Sequence, residues 1–286
     1  MSEKEIKKKD KDDKLSYLIK NLKINDELEQ KEDYYLKEID EVKEKLIKIG
    51  NPALSHLDSV LKENNNPSSH YAAEILAKID VEKAIKILVK YIEERGLDEK
   101  VKEELVKIGP ECLDEVINKI NYRINNPIEQ EGLFCLTNMA LRVLGEIRCE
   151  KSTNYLNNLL DDYMDAMPRK VFNPNQYDWP YRNIDFFHLL DCMVIQQNKS
   201  SIPYIKKARD DFPPRNVEFI ICQIAIGRIK KGKVEGYLPM ESMDIMLPPA
   251  KIFDALRGED STEKIEEAFI ENYGEYFEDM DLDEIL

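Results

Sequence analysis

The chain is poor in residues that cross-link or bend a protein. Its five cysteines are odd in number and widely spaced, and none belongs to a Cys-x-x-Cys pair. A disulfide framework or a zinc site on paired cysteines is therefore not expected, and the cysteines suit the core of a cytoplasmic protein. Only 10 of the 286 residues are glycine, which favours long helices joined by short turns.

Long apolar runs are also missing. The most apolar segment, residues 217–227, is far shorter than the roughly 20 residues that a membrane-spanning helix needs. Residues 1–14 alternate lysines with acids and lack the apolar stretch of a signal peptide. We therefore expect a cytoplasmic protein with no membrane partner.

Charge is concentrated at one end. The net charge is −15, and residues 259–286 contain twelve acids and one lysine, so that the body of the chain is nearly balanced at −4. Without a basic excess, nucleic acid is not expected as the main partner. The acidic end instead predicts a protein partner with a basic surface.

A short phrase recurs along the chain. Residues 49–54 read Ile-Gly-Asn-Pro-Ala-Leu and residues 108–113 read Ile-Gly-Pro-Glu-Cys-Leu, with weaker copies that begin at Ile79 and Ile147. The leading isoleucines lie 30, 29 and 39 residues apart. Glycine just after one helical pattern and proline near the start of the next indicate a helix-turn-helix unit. Its repetition predicts an all-α fold, a right-handed α-solenoid of stacked helix-turn-helix repeats.

These phrases resemble the HEAT-repeat family, particularly the short, roughly 30-residue HEAT-like repeats of the phycobilisome-lyase type. The resemblance covers about residues 32–162, with a degenerate continuation to about Ile229. It implies one of three kinds of function: a protein-binding scaffold, an enzyme or a DNA-binding repair module. The repeated residues themselves build turns and core, so they do not select among the three.

Composition and helical periodicity divide the chain into six segments. We predict a disordered mixed-charge tail (1–13), HEAT-like repeats (14–162), an aromatic insertion loop (163–182), degenerate HEAT-like repeats (183–230), irregular and short C-terminal helices (231–270) and an acidic-hydrophobic tail (271–286).

The insertion and the tail contain the candidate partner-binding residues. Aromatic and arginine side chains dominate binding hot spots, and insertions in solenoids often lie on the binding face. The candidates are Arg169, Phe172, Tyr177, Trp179, Tyr181, Arg182, Tyr276 and Phe277. The aromatics of the insertion could alternatively bridge two parts of the fold, and core packing is favoured for Phe186 and Phe187. The tail could instead pack as a helix on the last repeat or occupy the protein's own groove.

Catalytic chemistry has one weak candidate. The HEAT-like deoxyhypusine hydroxylases bind two irons through repeated His-Glu pairs, but none of the three histidines here is followed by glutamate. Neither a metal nor another cofactor is therefore expected. His188 and Cys192 lie four residues apart, with Asp185 and Asp191 nearby, and could share one helix face. A helical cysteine beside apolar residues is more often part of a core.

The sequence therefore favours a non-catalytic protein-binding scaffold, adaptor or assembly factor. The alternative is an enzyme or lyase-like protein-modification factor that uses His188 and Cys192. A third possibility is a nucleic-acid-binding HEAT-like module, for which Asp178, Trp179 and Tyr181 would supply an acid and aromatics. The oligomeric state and the identity of the partner stay open.

Overall fold

Twelve α-helices make up most of the part of the chain that the computed structural model describes: residues 3–24, 32–63, 67–95, 99–126, 134–167, 181, 184–213 and 217–233. The helices are α1 (Glu3–Ile24), α2 (Glu32–Ile49), α3 (Leu54–Lys62), α4 (Pro67–Ile79), α5 (Val81–Arg95), α6 (Glu99–Ile108), α7 (Leu113–Asn125), α8 (Phe134–Glu146), α9 (Glu150–Ala166), α10 (Phe186–Gln196), α11 (Ile202–Asp210) and α12 (Val217–Lys231). The predicted all-α class is confirmed.

The two strong copies of the repeated phrase form the same turn. Gly50 and Gly109 have φ angles of 72° and 78°, a left-handed conformation that glycine adopts at little cost. A short 3-10 turn that contains proline comes next in each copy. It follows Gly50 as Asn51–Ala53 in the first copy, and it begins at Gly109 itself, as Gly109–Cys112, in the other. The predicted helix ends after Ile49 and Ile108 are thus confirmed with their turn chemistry.

The weaker copy that begins at Ile79 forms its turn with an aspartate instead of glycine and proline. Asp80 lies between α4 and α5, and its carboxylate accepts a hydrogen bond from the backbone N–H of Lys83 at 3.1 Å. Lys83 in turn donates through Nζ to Oδ1 of Asn51, 3.4 Å away. The first two turns of the series therefore lie close together, which is consistent with a repeat arrangement.

Residue contacts divide the chain into two units, one up to Lys119 and the other from Ile120. In the first unit each helix packs on the next along most of the chain, as α3 does on α4, α4 on α5 and α5 on α6. Alternate helices also touch, since α4 lies against both α2 and α6, and α3 contacts α5. This sequential pairing is consistent with a repeat arrangement.

The second unit follows the same pattern. Helix α10 packs on α8, α9 and α12, and α11 packs on α9 and α12. The close approach of α8 and α10 depends on Gly145 of α8, because a Cβ built there would lie 3.0 Å from the Cα of Cys192 on α10. Only a residue without a side chain lets the two backbones approach so closely.

The N-terminal helix is longer than its apolar pattern. Leu15, Leu18 and Leu22 are buried, but α1 already begins at Glu3. Residues 3–13, which we expected to be disordered, are helical in the structure, and this stretch contains no glycine or proline to end a helix. None of the described helices is long and apolar enough to cross a membrane.

Candidate functional site

Most residues of the predicted partner-binding surface lie outside the described residues. These are Arg169, Phe172, Tyr177, Trp179, Arg182, Tyr276 and Phe277. Tyr181, at the end of the insertion, and both catalytic candidates, His188 and Cys192, are described. The surroundings of these three residues are therefore the part of the prediction that can be compared with the structure.

Five aromatic side chains meet where the insertion joins the helices, and we call them the aromatic cluster: Tyr163, Tyr181, Phe186, Phe187 and Phe212. The ring of Phe186 lies 5.6 Å from that of Tyr163, 5.8 Å from that of Phe187 and 5.7 Å from that of Phe212, measured between centroids. The Tyr163 and Tyr181 rings are 6.0 Å apart. Such separations are typical of favourable aromatic pairs.

The helices bring these rings together from distant parts of the sequence. Tyr163 lies in the last turn of α9, Phe186 opens α10 and Phe212 follows the end of α11. Phe186 is only 5% exposed, which confirms its predicted place in the core, while Phe187 and Tyr181 are half-buried. Because Tyr163 and Tyr181 are in contact, both ends of the insertion are held at one place on the second unit.

Asp185 fixes the start of α10 beside this cluster. Its Oδ1 accepts hydrogen bonds from the backbone N–H groups of Phe187, at 2.8 Å, and His188, at 3.3 Å, as an N-cap residue does. Burial favours a higher pKa for the Asp185 carboxyl. The hydrogen bonds and the charge of His188 outweigh burial, so that the pKa lies below its ordinary value.

The catalytic candidates occupy different environments on α10. The Nδ1 atom of His188 lies 3.8 Å from Oδ2 of Asp185, and its side chain is 21% exposed. Cys192 has no exposed surface and lies at the crossing with Gly145. The structure thus places Cys192 at a helix-helix contact and buries its side chain, and a buried free cysteine acts as a small apolar residue.

A buried polar network, which the sequence analysis missed, joins the α8–α9 turn to the end of α10. Gln196, 5% exposed, donates through Nε2 to the backbone oxygens of Leu144 and Ile147 and to Oγ of Ser152, at 2.5, 3.0 and 2.8 Å. Its Oε1 accepts from the Thr153 hydroxyl at 3.0 Å. The sequence signal for this network was a glutamine at the end of an apolar helical pattern. An amide that becomes buried there needs hydrogen-bond partners.

Cys149 is a second residue that the sequence analysis passed over. It precedes α9 in the N-cap position, is half-buried, and its Sγ lies 3.5 Å from Oγ of Ser152. Burial favours a higher pKa for the Cys149 thiol, but hydrogen bonds from Ser152 and the helix start, together with Lys151, hold it below its ordinary value. In contrast, burial raises the pKa of Cys112 to about 12.

Within the described residues, no group of three or more His, Cys, Asp or Glu side chains could hold a metal ion. No protein-family model, curated protein or solved structure matches the chain. The resemblance to HEAT-like repeats therefore stays a prediction from the sequence, beside an all-helical fold whose helices pack in sequential pairs.

Proposed function

We propose that this protein is a non-catalytic protein-binding scaffold, adaptor or assembly factor, built as a right-handed HEAT-like solenoid. The supporting observation is that alternate helices contact one another in both units: α4 packs on α2 and α6 in one, and α10 packs on α8 and α12 in the other. Stacked repeats of this kind create extended surfaces that suit partner binding.

The aromatic insertion provides the anchor in this proposal. Contact between Tyr163 and Tyr181 holds the two ends of the loop together, and fixing part of a binding segment in advance lowers the entropic cost of association. Trp179, Tyr177 and the flanking Arg169 and Arg182 are the residue types most enriched in binding hot spots.

The acidic tail, residues 271–286, provides a second contact. Acids alternate there with apolar side chains that include Tyr276 and Phe277. A segment of this composition suits a partner whose surface is basic and partly apolar, because attraction between charges speeds association and the apolar residues add affinity.

The test compares the partner affinity of two variants, one that truncates a tryptophan and one that truncates a tyrosine. A partner isolated from the native lysate with the full-length protein is purified, and its Kd is measured for the parent, Trp179→Ala and the control Tyr122→Ala. Tyr122 is an aromatic residue on α7 that is 52% exposed. We expect Trp179→Ala to weaken binding about 30-fold, as loss of a hot spot does, and the control to bind normally.

Thermal unfolding of both variants accompanies the binding measurement. If Trp179→Ala binds as tightly as the parent, the anchor is wrong. If it instead loses cooperative melting, Trp179 is structural. Loss of binding with an unchanged melting curve supports the proposal.

Thiol labelling of the folded protein separates the scaffold from an enzyme that uses His188 and Cys192. Because Cys149 is half-buried with a lowered pKa and Cys192 is fully buried, we expect Cys149 to react faster than Cys192. A Cys192 thiol that reacts first would favour the enzyme instead.

A further inference from the structure

One end of the second unit is rich in basic residues. The α8–α9 turn, the α10–α11 turn and the end of α12, with their flanking residues (146–153, 197–201 and 228–233), contain seven basic and two acidic residues, a net charge of +5. All seven basic residues except the half-buried Arg228 are exposed. We call them the basic end: Arg148, Lys151, Lys199, Arg228, Lys230, Lys231 and Lys233.

Hydrogen bonds hold these three turns together. Gln196 joins the end of α10 to the α8–α9 turn, and Asn198 adds a bond from its Nδ2 to the Thr153 hydroxyl at 3.3 Å. Gln197 donates through Nε2 to the backbone oxygen of Lys233 at 3.0 Å, which ties the α10–α11 turn to the end of α12. The basic residues therefore come from turns that lie side by side.

Gln197 makes its bond from an unfavourable backbone conformation. Its φ angle is 53°, in the left-handed region that glycine adopts more readily, and it is the one non-glycine residue with a positive φ among the described residues. A glycine there would be unstrained, but it would have no amide to donate to Lys233. The position thus has a strained residue whose side chain holds the end of α12 in place.

The opposite end of the same helices is acidic. Helix α9 has 17 residues, so the two ends lie about 25 Å apart at a rise of roughly 1.5 Å per residue. The end of α9, the start of α10, the end of α11 and the start of α12 contain three basic residues (Lys206, Lys207 and Arg209). Seven acids accompany them, and we call these the acidic end: Asp161, Asp162, Asp165, Asp185, Asp210, Asp211 and Glu218. The described part of the second unit is therefore polarised, and its two ends suit partners of opposite charge.

We propose that the basic end binds an acidic segment of a partner protein. Complementary charge speeds association and fixes the orientation of the partner. Turns that are already held together by hydrogen bonds lose little entropy when they bind. None of these residues belongs to the aromatic insertion or to the acidic tail, so the basic end is a separate docking site of opposite sign.

The composition of the basic end favours protein over nucleic acid. Its three stretches contain no aromatic residue, so single-stranded nucleic acid would have no platform on which to stack its bases. The same stretches contain Glu146 and Glu150, which would repel a duplex that carries one phosphate charge per about 1.7 Å. The more widely spaced acids of a protein segment can pair with the lysines and avoid these two carboxylates.

Fluorescence anisotropy with a labelled peptide of alternating glutamate and serine tests the assignment on the full-length protein. We expect the double variant Lys230→Glu/Lys231→Glu to weaken peptide binding about tenfold. The matched control Lys206→Glu/Lys207→Glu makes the same charge change near the end of α11, among the residues of the acidic end, and should bind as the parent does. Binding by the parent should weaken as NaCl is added, because salt screens exposed charges.

Two results would overturn the proposal at once: no binding of the peptide by the parent, or equal weakening in both double variants. A labelled DNA duplex measured in parallel gives a third. If the duplex binds more tightly than the peptide and only Lys230→Glu/Lys231→Glu weakens it, the partner is a nucleic acid instead.

Hydrogen exchange of the parent, with and without the peptide, keeps the test independent of how the variants fold. We expect bound peptide to slow exchange in residues 150–153 and 197–201 and to leave α5 in the first unit unchanged. Slowing at the acidic end, or nowhere in the second unit, contradicts the basic end as the binding site.

Discussion

The two units differ in where they place their polar interactions. In the first unit most ion pairs join residues three or four positions apart on one helix, as Lys62 does with Asp58. Even the buried charges of α6 follow this rule, since Lys102 pairs with Glu99 at 2.7 Å and Glu104 with Lys107 at 2.6 Å.

In the second unit the main polar interactions are buried and join distant segments. Gln196 bonds groups 43 to 52 positions earlier in the chain. A buried polar group that loses its partner costs more than a surface pair contributes. The first unit also has a buried bond of this kind, from the Ser68 hydroxyl to the Leu22 carbonyl oxygen at 2.8 Å. In the second unit, four such bonds meet at Gln196 and fix one particular register of α10 against the α8–α9 turn.

Phe186→Ala should cause the largest loss of stability among these variants, and the loss should be confined to the second unit. Phe186 is 5% exposed and contacts three other rings, so its truncation leaves a cavity that costs about 3–5 kcal/mol. Hydrogen exchange in increasing urea measures α10 and α5 separately. Tyr17→Ala, which removes a ring that is 64% exposed, is the control. Equal loss of protection in α5 would contradict the separate stability of the units.

Gln196→Ala tests how much the buried network stabilises the second unit. The variant removes the Gln196 donor from the carbonyl oxygen of Leu144, while Ile147 keeps the Ser152 hydroxyl and the Cys149 N–H as donors. We expect a loss of about 1–3 kcal/mol. Urea unfolding compares it with Asn154→Ala, an exposed amide on α9, which should change stability by less than about 0.5 kcal/mol. Similar values for the two variants would mean that the network contributes little.

Gly145→Ala tests the close approach of α8 and α10. The new Cβ would meet backbone atoms of Cys192 at 3.0 Å, and such overpacking costs about 1–3 kcal/mol. Alanine gains about 1 kcal/mol over glycine within a helix, so the expected net loss is about 1 kcal/mol. A variant that is more stable than the parent in urea would show that the helices can separate at no cost.

A pH-dependent contribution should appear in the first unit at Glu74. Burial favours a higher pKa for its carboxyl, but hydrogen bonds and charges from Lys43 and Lys78, at 2.8 and 2.6 Å, lower the pKa to about 2. The stabilisation is therefore present above the ordinary value of 4.5 and is lost as the pH falls towards about 2.

Glu74→Gln should accordingly cost about 1 kcal/mol at pH 7, after allowance for solvent screening. The difference from the parent should shrink as the pH is lowered in a series of urea titrations. Glu41→Gln removes a more exposed pair with Lys45, and should cost about 0.2–0.5 kcal/mol. A Glu74 effect that does not vary with pH would contradict the assigned cause.

Particular residues show which features of the fold could be predicted from the sequence and which could not. The turns at Gly50 and Gly109 were visible because a glycine after a helical pattern and a nearby proline act within a few residues. The contact of Gly145 with Cys192 was not visible, since the two residues lie on different helices and only packing brings them together. The same limit applies to the rings around Phe186.

The amino-acid sequence by itself determined the all-α class, the order of the helices and the glycine turns, although not the start of α1, because helix periodicity and turn chemistry depend on neighbouring residues. Tertiary structure alone decided that Gln196 would find its partners at the α8–α9 turn, that Cys192 would be buried and that Cys149 would remain half-exposed. Burial and long-range hydrogen bonds depend on which helices meet, and that is settled only when the whole unit packs.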